Sequence, residues 1–121
     1  MRGAVASGDR LRQMEGEQMR FVTAGEFTAE QAWGAQLLAS IDNATVRLHW
    51  TDSAYVWHVN DGTEVFVVVD GIVDMHYRDS GGEHVERLVP GTMCVAEVGD
   101  EHKAVPVGEA RILVIEQAGS I

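Results

Sequence analysis

The side chains best suited to binding a metal ion in this chain are concentrated in two short segments. The first, WHVNDGTEVFVVVDG, has His58, Asn60 and Glu64 just ahead of an apolar run. The second, PGTMCVAEVGDEHKAVP, carries His102 after a Gly-Asp turn. Two imidazoles and one carboxylate form a ligand set suited to divalent iron, and also to manganese, nickel or zinc. We therefore expect a metal site wherever the fold brings His58, Glu64 and His102 together.

Whether the first segment can converge on one point depends on its local register. Side chains alternate faces along a strand, so His58 and Asn60 share one side. A two-residue Asp61-Gly62 turn would direct Glu64 away from them, whereas a loop with an odd number of residues would bring the carboxylate round to His58. Asp-Gly is a common hairpin signal, so the local sequence favours the turn and leaves the question open.

The elements that must position these side chains are predominantly short β-strands. From residue 44 onward, β-branched segments recur at roughly 8–12 residues and are separated by turn residues, a pattern typical of an antiparallel sandwich or barrel. Upstream, Thr28 and Gln31 match a capping box and predict a short helix around Thr28–Trp33. Residues 36–41 fit either a helix or a strand. The eight predicted strands are ATVRLHW, AYVWHV, EVFVVV, IVDMHYR, HVERLV, MCVAEV, HKAVPV and ARILVIE.

Length and composition predict one domain and narrow the range of partners. The chain has 121 residues; we expect a flexible extension over residues 1–20 and a single domain over residues 21–121. The net charge of −10 argues against nucleic acid and acidic membrane surfaces as partners. The first residues lack the apolar core of a secretory signal, and the location that we expect is the cytoplasm. The single cysteine, Cys94, excludes an intrachain disulfide and a thiolate-rich zinc site.

The spacing of the polar residues matches two motifs of a known family. These motifs are G-x5-H-x-H-x3,4-E-x6-G and G-x5-P-x-G-x2-H-x3-N. At the corresponding positions this chain has His58, Asn60, Glu64 and Gly71, and then Gly91, Glu97, Gly99, His102 and Pro106. Over about residues 41–119 the chain resembles the cupins, and among them the small single-domain bacterial proteins loosely called mannose-6-phosphate-isomerase-like.

The resemblance implies a fold and a site. The implied fold is all-β, a double-stranded β-helix or jelly-roll barrel, with a short N-terminal helix or extension. The implied site is a divalent metal held by His58, Glu64 and His102, which requires the odd loop. Asn60 stands where the family has a second histidine, and we treat it as a further possible ligand. A barrel without metal, whose polar residues surround ordered water, is the alternative.

The implied function is a metal-dependent reaction on a small molecule, of the isomerase, lyase, cyclase or dioxygenase class, in a homodimer. The alternative is a non-catalytic barrel that binds a small ligand or a metal for sensing. Strand alternation predicts apolar side chains beside the ligands, with Arg47 as a possible contact for an anionic ligand. The predicted pocket-lining residues are Arg47, Phe66, Val68, Met93, Val95 and Ala104.

Several other residues are expected to lie away from the site. Three histidines fall in strand patterns outside both motifs and are interpreted as surface or core-edge residues: His49, His76 and His84. Cys94 is interpreted as a small apolar side chain. Three large aromatic residues are predicted to face outward, towards a subunit interface or the N-terminal segment: Trp50, Tyr55 and Trp57.

Overall fold

The computed structural model describes residues 18–119 of the chain. Its regular structure is almost entirely antiparallel β, which confirms the predicted fold class. A 3-10 helix of three residues, Ala24–Glu26, precedes the first strand. The strands are β1 (Gly34–Ile41), β2 (Ala44–Thr51), β3 (His58–Val59), β4 (Glu64–Asp79), β5 (Gly82–Leu88), β6 (Met93–Ala96) and β7 (Glu101–Gln117).

Two strands are twice as long as the sequence predicts. The Asp70-Gly71 and Gly108-Glu109-Ala110 segments, interpreted as turns, lie instead inside β4 and β7. Pairing between these two strands shifts register around Asp70, so the long ladder bends there without ending. A bulge of this kind uses the same flexible residues as a turn. Four of the eight predicted strands therefore merge into two, and β1, over residues that fitted either a helix or a strand, brings the total in the described residues to seven.

The bend divides β4 and β7 into halves that belong to opposite walls of a barrel. Residues 64–68 of β4 pair with residues 112–116 of β7, and residues 72–78 pair with residues 101–107. The first wall continues through β6 on one side and β2 and β1 on the other. The second continues through β5 and β3. Ala104 and Val114, from opposite halves of β7, line the same cavity, so the two walls face each other.

The core lies between the two walls. Its buried members come from both halves of β4 and β7, and burying them is the main source of stabilisation, at about 25 cal/mol per Å² of apolar surface. Val68, Val73, Ala110 and Ile112 are fully buried. The complete cluster is Phe66, Val68, Val73, Met75, Leu88, Ala104, Ala110, Ile112 and Val114.

The predicted helix at Thr28–Trp33 is wrong. Gln31 begins a turn closed by a hydrogen bond from Gly34 N to Gln31 O, and the N–H of Trp33 donates to Trp50 O in β2. Trp33 also has a φ of 65°, which no right-handed helix accommodates. The backbone groups that a helix would use are therefore already bonded to the sheet, and residues 36–41 form part of β1.

The N-terminal segment is tied to the barrel through Arg111, whose side chain is 11% exposed. Its Nε donates to Phe27 O at 2.7 Å, and its Nη1 pairs with Asp70 Oδ2 at 2.7 Å. The predicted extension over residues 1–20 lies mostly outside the described residues, and it stays a prediction. Within residues 18–119 there is no helix with the length and hydropathy to span a membrane.

Candidate metal centre

Three separate strands bring His58, Glu64 and His102 into one place. β3 pairs with the start of β7 so that His58 lies directly opposite His102. Residues opposite each other in an antiparallel pair project to the same face, and the two imidazole centroids are 4.3 Å apart. Glu64 opens β4 on the facing wall. One ligand atom from each of the three residues lies within 4.8 Å of the others.

The convergence of Glu64 with His58 does not come from a hairpin. β3 pairs with β7, whereas β4 pairs with β5, β6 and β7. Asn60 continues the β3 interaction, because its N–H donates to Asp100 O and its carbonyl accepts from Gly99 N. The chain therefore crosses between walls at residues 61–63. Neither the two-residue turn nor the odd hairpin loop describes this connection, although the side chains meet as the odd loop would require.

Asn60 is a structural partner of His102. It is 4% exposed, and its Nδ2 donates to Gly62 O at 2.9 Å. That bond orients the amide so that Oδ1 faces His102 Nε2 at 2.5 Å. An amide oxygen only accepts, so the hydrogen of the neutral His102 ring lies on Nε2. Asn60 thereby selects the tautomer of one candidate ligand.

Each candidate histidine is oriented by its surroundings. His58 Nδ1 lies 3.2 Å from Val56 O, and because a carbonyl only accepts, Nδ1 carries a hydrogen and Nε2 is the nitrogen that a metal would take. Burial, followed by the charge of His58, lowers the pKa of His102 from 6.5 to about 4. His102 is thus uncharged at neutral pH, the state that a metal ligand requires.

Two buried polar atoms at this centre lack a partner among the described residues. They are Glu64 Oε1 and His102 Nδ1. Oε1 lies 3.7 Å from His102 Nε2, and burial raises the pKa of Glu64 above its ordinary value. Buried polar atoms are nearly always hydrogen-bonded in proteins. An ion here would satisfy the orphaned carboxylate oxygen and compensate its buried charge, so the residues present fit a divalent metal.

The centre opens into a cavity of about 350 Å³. Such a volume suits a small molecule. Its wall combines apolar, aromatic and charged side chains from five strands and from the loops before β1 and β3. The lining residues are Trp33, Ala35, Arg47, His49, Tyr55, His58, Glu64, Phe66, His102, Ala104, Val114 and Glu116.

Comparison with solved structures identifies the family. A cupin-2 domain protein from Shewanella frigidimarina is 30% identical to this chain, with a TM-score of 0.66, and the alignment covers 74% of this chain and 84% of that one. This chain is a cupin. A cupin superfamily protein from Desulfitobacterium hafniense is 17% identical, with a TM-score of 0.68 and coverage of 83% and 92%.

A larger protein has the same fold. Hydroquinone 1,2-dioxygenase from Sphingomonas sp., solved with 4-hydroxybenzoate bound, is 17% identical with a TM-score of 0.67; the alignment covers 75% of this cupin and 29% of the dioxygenase chain. At this identity the likeness concerns the fold alone. Neither the scan against protein-family models nor the search of curated proteins finds a match for this chain.

The predicted pocket residues of this cupin fall into three groups. Arg47, Phe66 and Ala104 line the cavity together with the candidate ligands. Val68 is fully buried in the core beneath it. Met93 and Val95 do not share the ligand face: they are 62% and 58% exposed and border a second cavity of about 560 Å³.

Met93 and Val95 line the second cavity, which His102 also borders, but they lie on the outer face of β6 because face alternation does not carry through a turn. Cys94 pairs with Phe66 and Ala96 pairs with Glu64, so these two residues occupy the inner face of β6. Cys94 also packs against the core, as its interpretation as a small apolar residue requires. The turn after Ala96 separates β6 from His102, and only the pairing with β4 decides which side of β6 faces inward.

Four polar or aromatic residues that line the cavity were missed, besides the aliphatic Ala35 and Val114. His49 was interpreted as a surface or core-edge residue, but it lines the cavity, and its Nδ1 bonds Trp33 O at 3.0 Å. Its alternation with Arg47 was the available signal. Tyr55 was predicted to face outward, whereas it also lines the cavity, as do Trp33 and Glu116. His76 and His84 lie outside the lining of this cavity, as predicted.

The Glu64→Gln variant should make the metal-free cupin more stable at pH 8. A buried carboxylate with an unpaired oxygen is costly when ionised, and the amide removes that cost, on the order of 1 kcal/mol. The raised pKa means that the folded wild type binds more protons than the unfolded chain above pH 4.5, so its stability falls as pH rises through that window. The advantage of the variant should shrink towards pH 5.

Urea denaturation in the presence of a chelator at pH 5 and pH 8 measures this difference. His102 is present in both proteins and contributes the opposite slope, because burial lowers its pKa. Glu86→Gln, at an exposed position in β5, controls for the loss of a negative charge. A Glu64→Gln variant less stable than the wild type at pH 8 would show that the carboxylate has a stabilising partner.

Proposed function

We propose that this cupin binds a divalent metal through His58, Glu64 and His102 and acts on a small molecule in the adjoining cavity. One observation carries the proposal: donor atoms from three strands lie within 4.8 Å of one another beside an orphaned buried carboxylate oxygen. Two imidazoles and one carboxylate favour late first-row divalent ions over magnesium or calcium. Three protein ligands leave coordination positions for a substrate.

The metal would supply Lewis-acid or oxygen-binding chemistry when bound. The residues of the chain have separate tasks. Burial of Glu64 and His102 keeps water away from the donor atoms. Val56 O accepts from His58 Nδ1 and so leaves His58 Nε2 for the metal, whereas Asn60 Oδ1 holds the His102 ring in place through Nε2. Glu64, with its raised pKa, also holds a proton more readily than an exposed glutamate. It is therefore the candidate acid or base whenever it is not coordinated.

The candidate metal centre and its cavity limit the reactions that this cupin could catalyse. A centre with open positions beside a cavity is compatible with isomerisation, lyase or cyclase chemistry, and dioxygenation. The fold likeness to hydroquinone 1,2-dioxygenase supports the last of these. Because a fold hosts many reactions, we retain all three classes under the heading of a metal-dependent small-molecule enzyme.

A non-catalytic binding protein is the second candidate, and Asn60 is the observation that favours it. Asn60 occupies the position of a family histidine, and its Oδ1 already accepts from His102 Nε2. An amide oxygen is a weaker ligand than an imidazole for late first-row ions. A site with one fewer strong donor suits reversible metal or ligand binding as well as it suits catalysis.

Metal analysis of protein purified without chelator tests both candidates against a metal-free barrel. A stoichiometric divalent ion supports the proposal, and protein that neither retains nor takes up iron, manganese, nickel or zinc contradicts it. Thermal-shift screening of small molecules with and without metal then separates the candidates. Stabilisation that requires the metal favours the enzyme, and stabilisation independent of metal favours the binding protein.

The Asn60→His variant should bind metal at least about tenfold more tightly than the wild type. When a metal takes His102 Nε2, the hydrogen must leave that nitrogen, and Asn60 Oδ1 loses its donor while facing the ion. A histidine at position 60 would offer an imidazole nitrogen as a fourth ligand without that cost. Isothermal titration with Zn²⁺ or Mn²⁺ measures the change.

Asn43→His is the matched control, because it adds a histidine in the exposed turn between β1 and β2. It should leave the affinity at the wild-type value. If the Asn60→His affinity is also unchanged, the side chain at position 60 lies outside the coordination sphere.

A further inference from the structure

Aromatic rings form a continuous wall from the cavity surface to the candidate metal centre. Trp33 packs edge-to-face on Tyr55 at a centroid distance of 5.4 Å, Tyr55 packs on His58 at 5.3 Å, and His58 contacts His102 at 4.3 Å. All four side chains line the same cavity. Aromatic faces and edges arranged in this way favour a planar ring as the adjoining molecule.

The position of Trp33 is maintained at a conformational cost. Its φ of 65° is unusual for a bulky residue, and such conformations persist only where the surroundings hold them. Here the N–H of Trp33 donates to Trp50 O, its carbonyl bonds His49 Nδ1, and its Nε1 donates to Ser53 O at 2.8 Å. These three bonds hold the indole in the cavity wall, where a ligand can contact it.

Arg47 supplies the one arginine or lysine side chain among the described residues that line this cavity. Its Nη1 donates to Thr45 Oγ1 at 3.2 Å, and within the described part of the chain no carboxylate lies at ion-pair distance from it. Glu116 lines the same cavity, and its carboxylate also lies beyond ion-pair distance from the guanidinium. The guanidinium presents a planar fork that matches a carboxylate.

We propose that the cavity accepts a small monocyclic aromatic carboxylate, with its ring against Trp33 and Tyr55 and its carboxylate paired with Arg47. The apolar floor of Phe66, Ala104 and Val114 suits the rest of the ring. A molecule of this size occupies only part of the 350 Å³, leaving space beside the candidate metal centre. The inference rests on the proposed function, because it names the substrate class of the same cavity.

Binding of three probes to the full chain tests the inference. Benzoate has the ring and the charge, cyclohexanecarboxylate has the charge alone, and benzamide has the ring alone. Each is titrated by calorimetry into wild-type protein before and after Zn²⁺ is added. We expect benzoate to bind at least about tenfold more tightly than either analogue. Equal affinity for benzoate and cyclohexanecarboxylate, or no benzoate binding, would overturn the proposal.

Two variants test the anion contact and the ring contact separately, and a third serves as a control. Arg47→Gln should weaken benzoate binding about tenfold or more and leave benzamide unchanged. Tyr55→Leu should weaken both by about threefold to tenfold. Arg87→Gln is the control, because Arg87 lies in β5 and pairs with Asp74 away from the cavity; its benzoate affinity should equal that of the wild type. An Arg47→Gln variant with wild-type benzoate affinity would refute the assigned anion contact.

The Zn²⁺ titration distinguishes a failure of the proposed metal centre from a failure of the proposed aromatic-carboxylate site. Wild-type protein that binds Zn²⁺ but shows no preference for benzoate would sink the ligand assignment and leave the metal centre standing. Protein that prefers benzoate and binds no metal would sink the proposed metal function and support the aromatic-acid site. Circular dichroism of each variant confirms that the barrel is folded.

Discussion

The His102→Ala variant should lose divalent-metal affinity by on the order of a hundredfold or more. Removing one of three ligands leaves two donors, and even residues that only orient a ligand are worth about 10- to 100-fold in affinity. The variant also leaves Asn60 Oδ1 without its donor in a buried position, which costs about 1–3 kcal/mol of stability. Metal content by elemental analysis and affinity by calorimetry measure the first effect, and urea denaturation measures the second.

A variant of a second candidate ligand provides a comparison for this result, and a variant of a histidine outside the centre provides a control. His58→Ala should lose metal to a similar degree with less destabilisation, because His58 is only half-buried and opens a short strand. His84→Ala removes an imidazole that lies two strands from His102, in β5, and pairs with Asp79; it is not among the three converging residues, and the variant should retain full metal content. Wild-type metal content in both His58→Ala and His102→Ala would show that the ion, if bound, lies elsewhere.

The Gly71→Ala variant should be destabilised by about 3–5 kcal/mol. Gly71 has a φ of 83°, and a Cβ at this position would lie 2.4 Å from Glu109 O and 2.9 Å from Ala110 Cα. Both contacts are with backbone that cannot move away without breaking the β4–β7 ladder. Thermal denaturation should therefore show a Tm lower by roughly 10 °C or more.

Comparing Gly71→Ala with Gly108→Ala isolates the steric part of that effect. Gly108 has a similar φ of 75°, but a Cβ there would meet nothing within 4 Å. Only the conformational cost remains, about 1–2 kcal/mol. If the two variants lose equal stability, the close approach of Gly71 to residues 109 and 110 is not what constrains the bend. Because the bend places Glu64 and His102 on facing walls, Gly71→Ala should also weaken metal binding.

Much of the strand content was predictable because it depends on local properties. Alternating and β-branched segments such as ARILVIE need a sheet to bury them, and the turn residues between them exclude long helices. The same local rules failed where one residue type serves two purposes. Gly71 and Gly108 suit a turn and a bulge equally, so eight strands were predicted where β4 and β7 each join two of them.

For the candidate metal centre, too, some features were predictable from the sequence and others were not. The types and spacing of His58, Glu64 and His102 were sufficient to propose a metal centre, because the donor chemistry belongs to the side chains themselves. The inner face of β6 and the inward position of Tyr55 were not accessible, because each depends on which strand lies alongside. The bond between Asn60 and His102 joins residues 42 positions apart, and no local pattern encodes it.

Local patterns were enough to predict the class of fold, the family and the donor atoms available to a metal. Three features emerged only from the folded chain: β3 pairs with β7, the long strands bend between two walls, and Trp33, Tyr55 and Arg47 surround the cavity. The physical reason is that propensity and alternation act over a few neighbouring residues. Convergence at a point is set by contacts between strands that are distant along the chain.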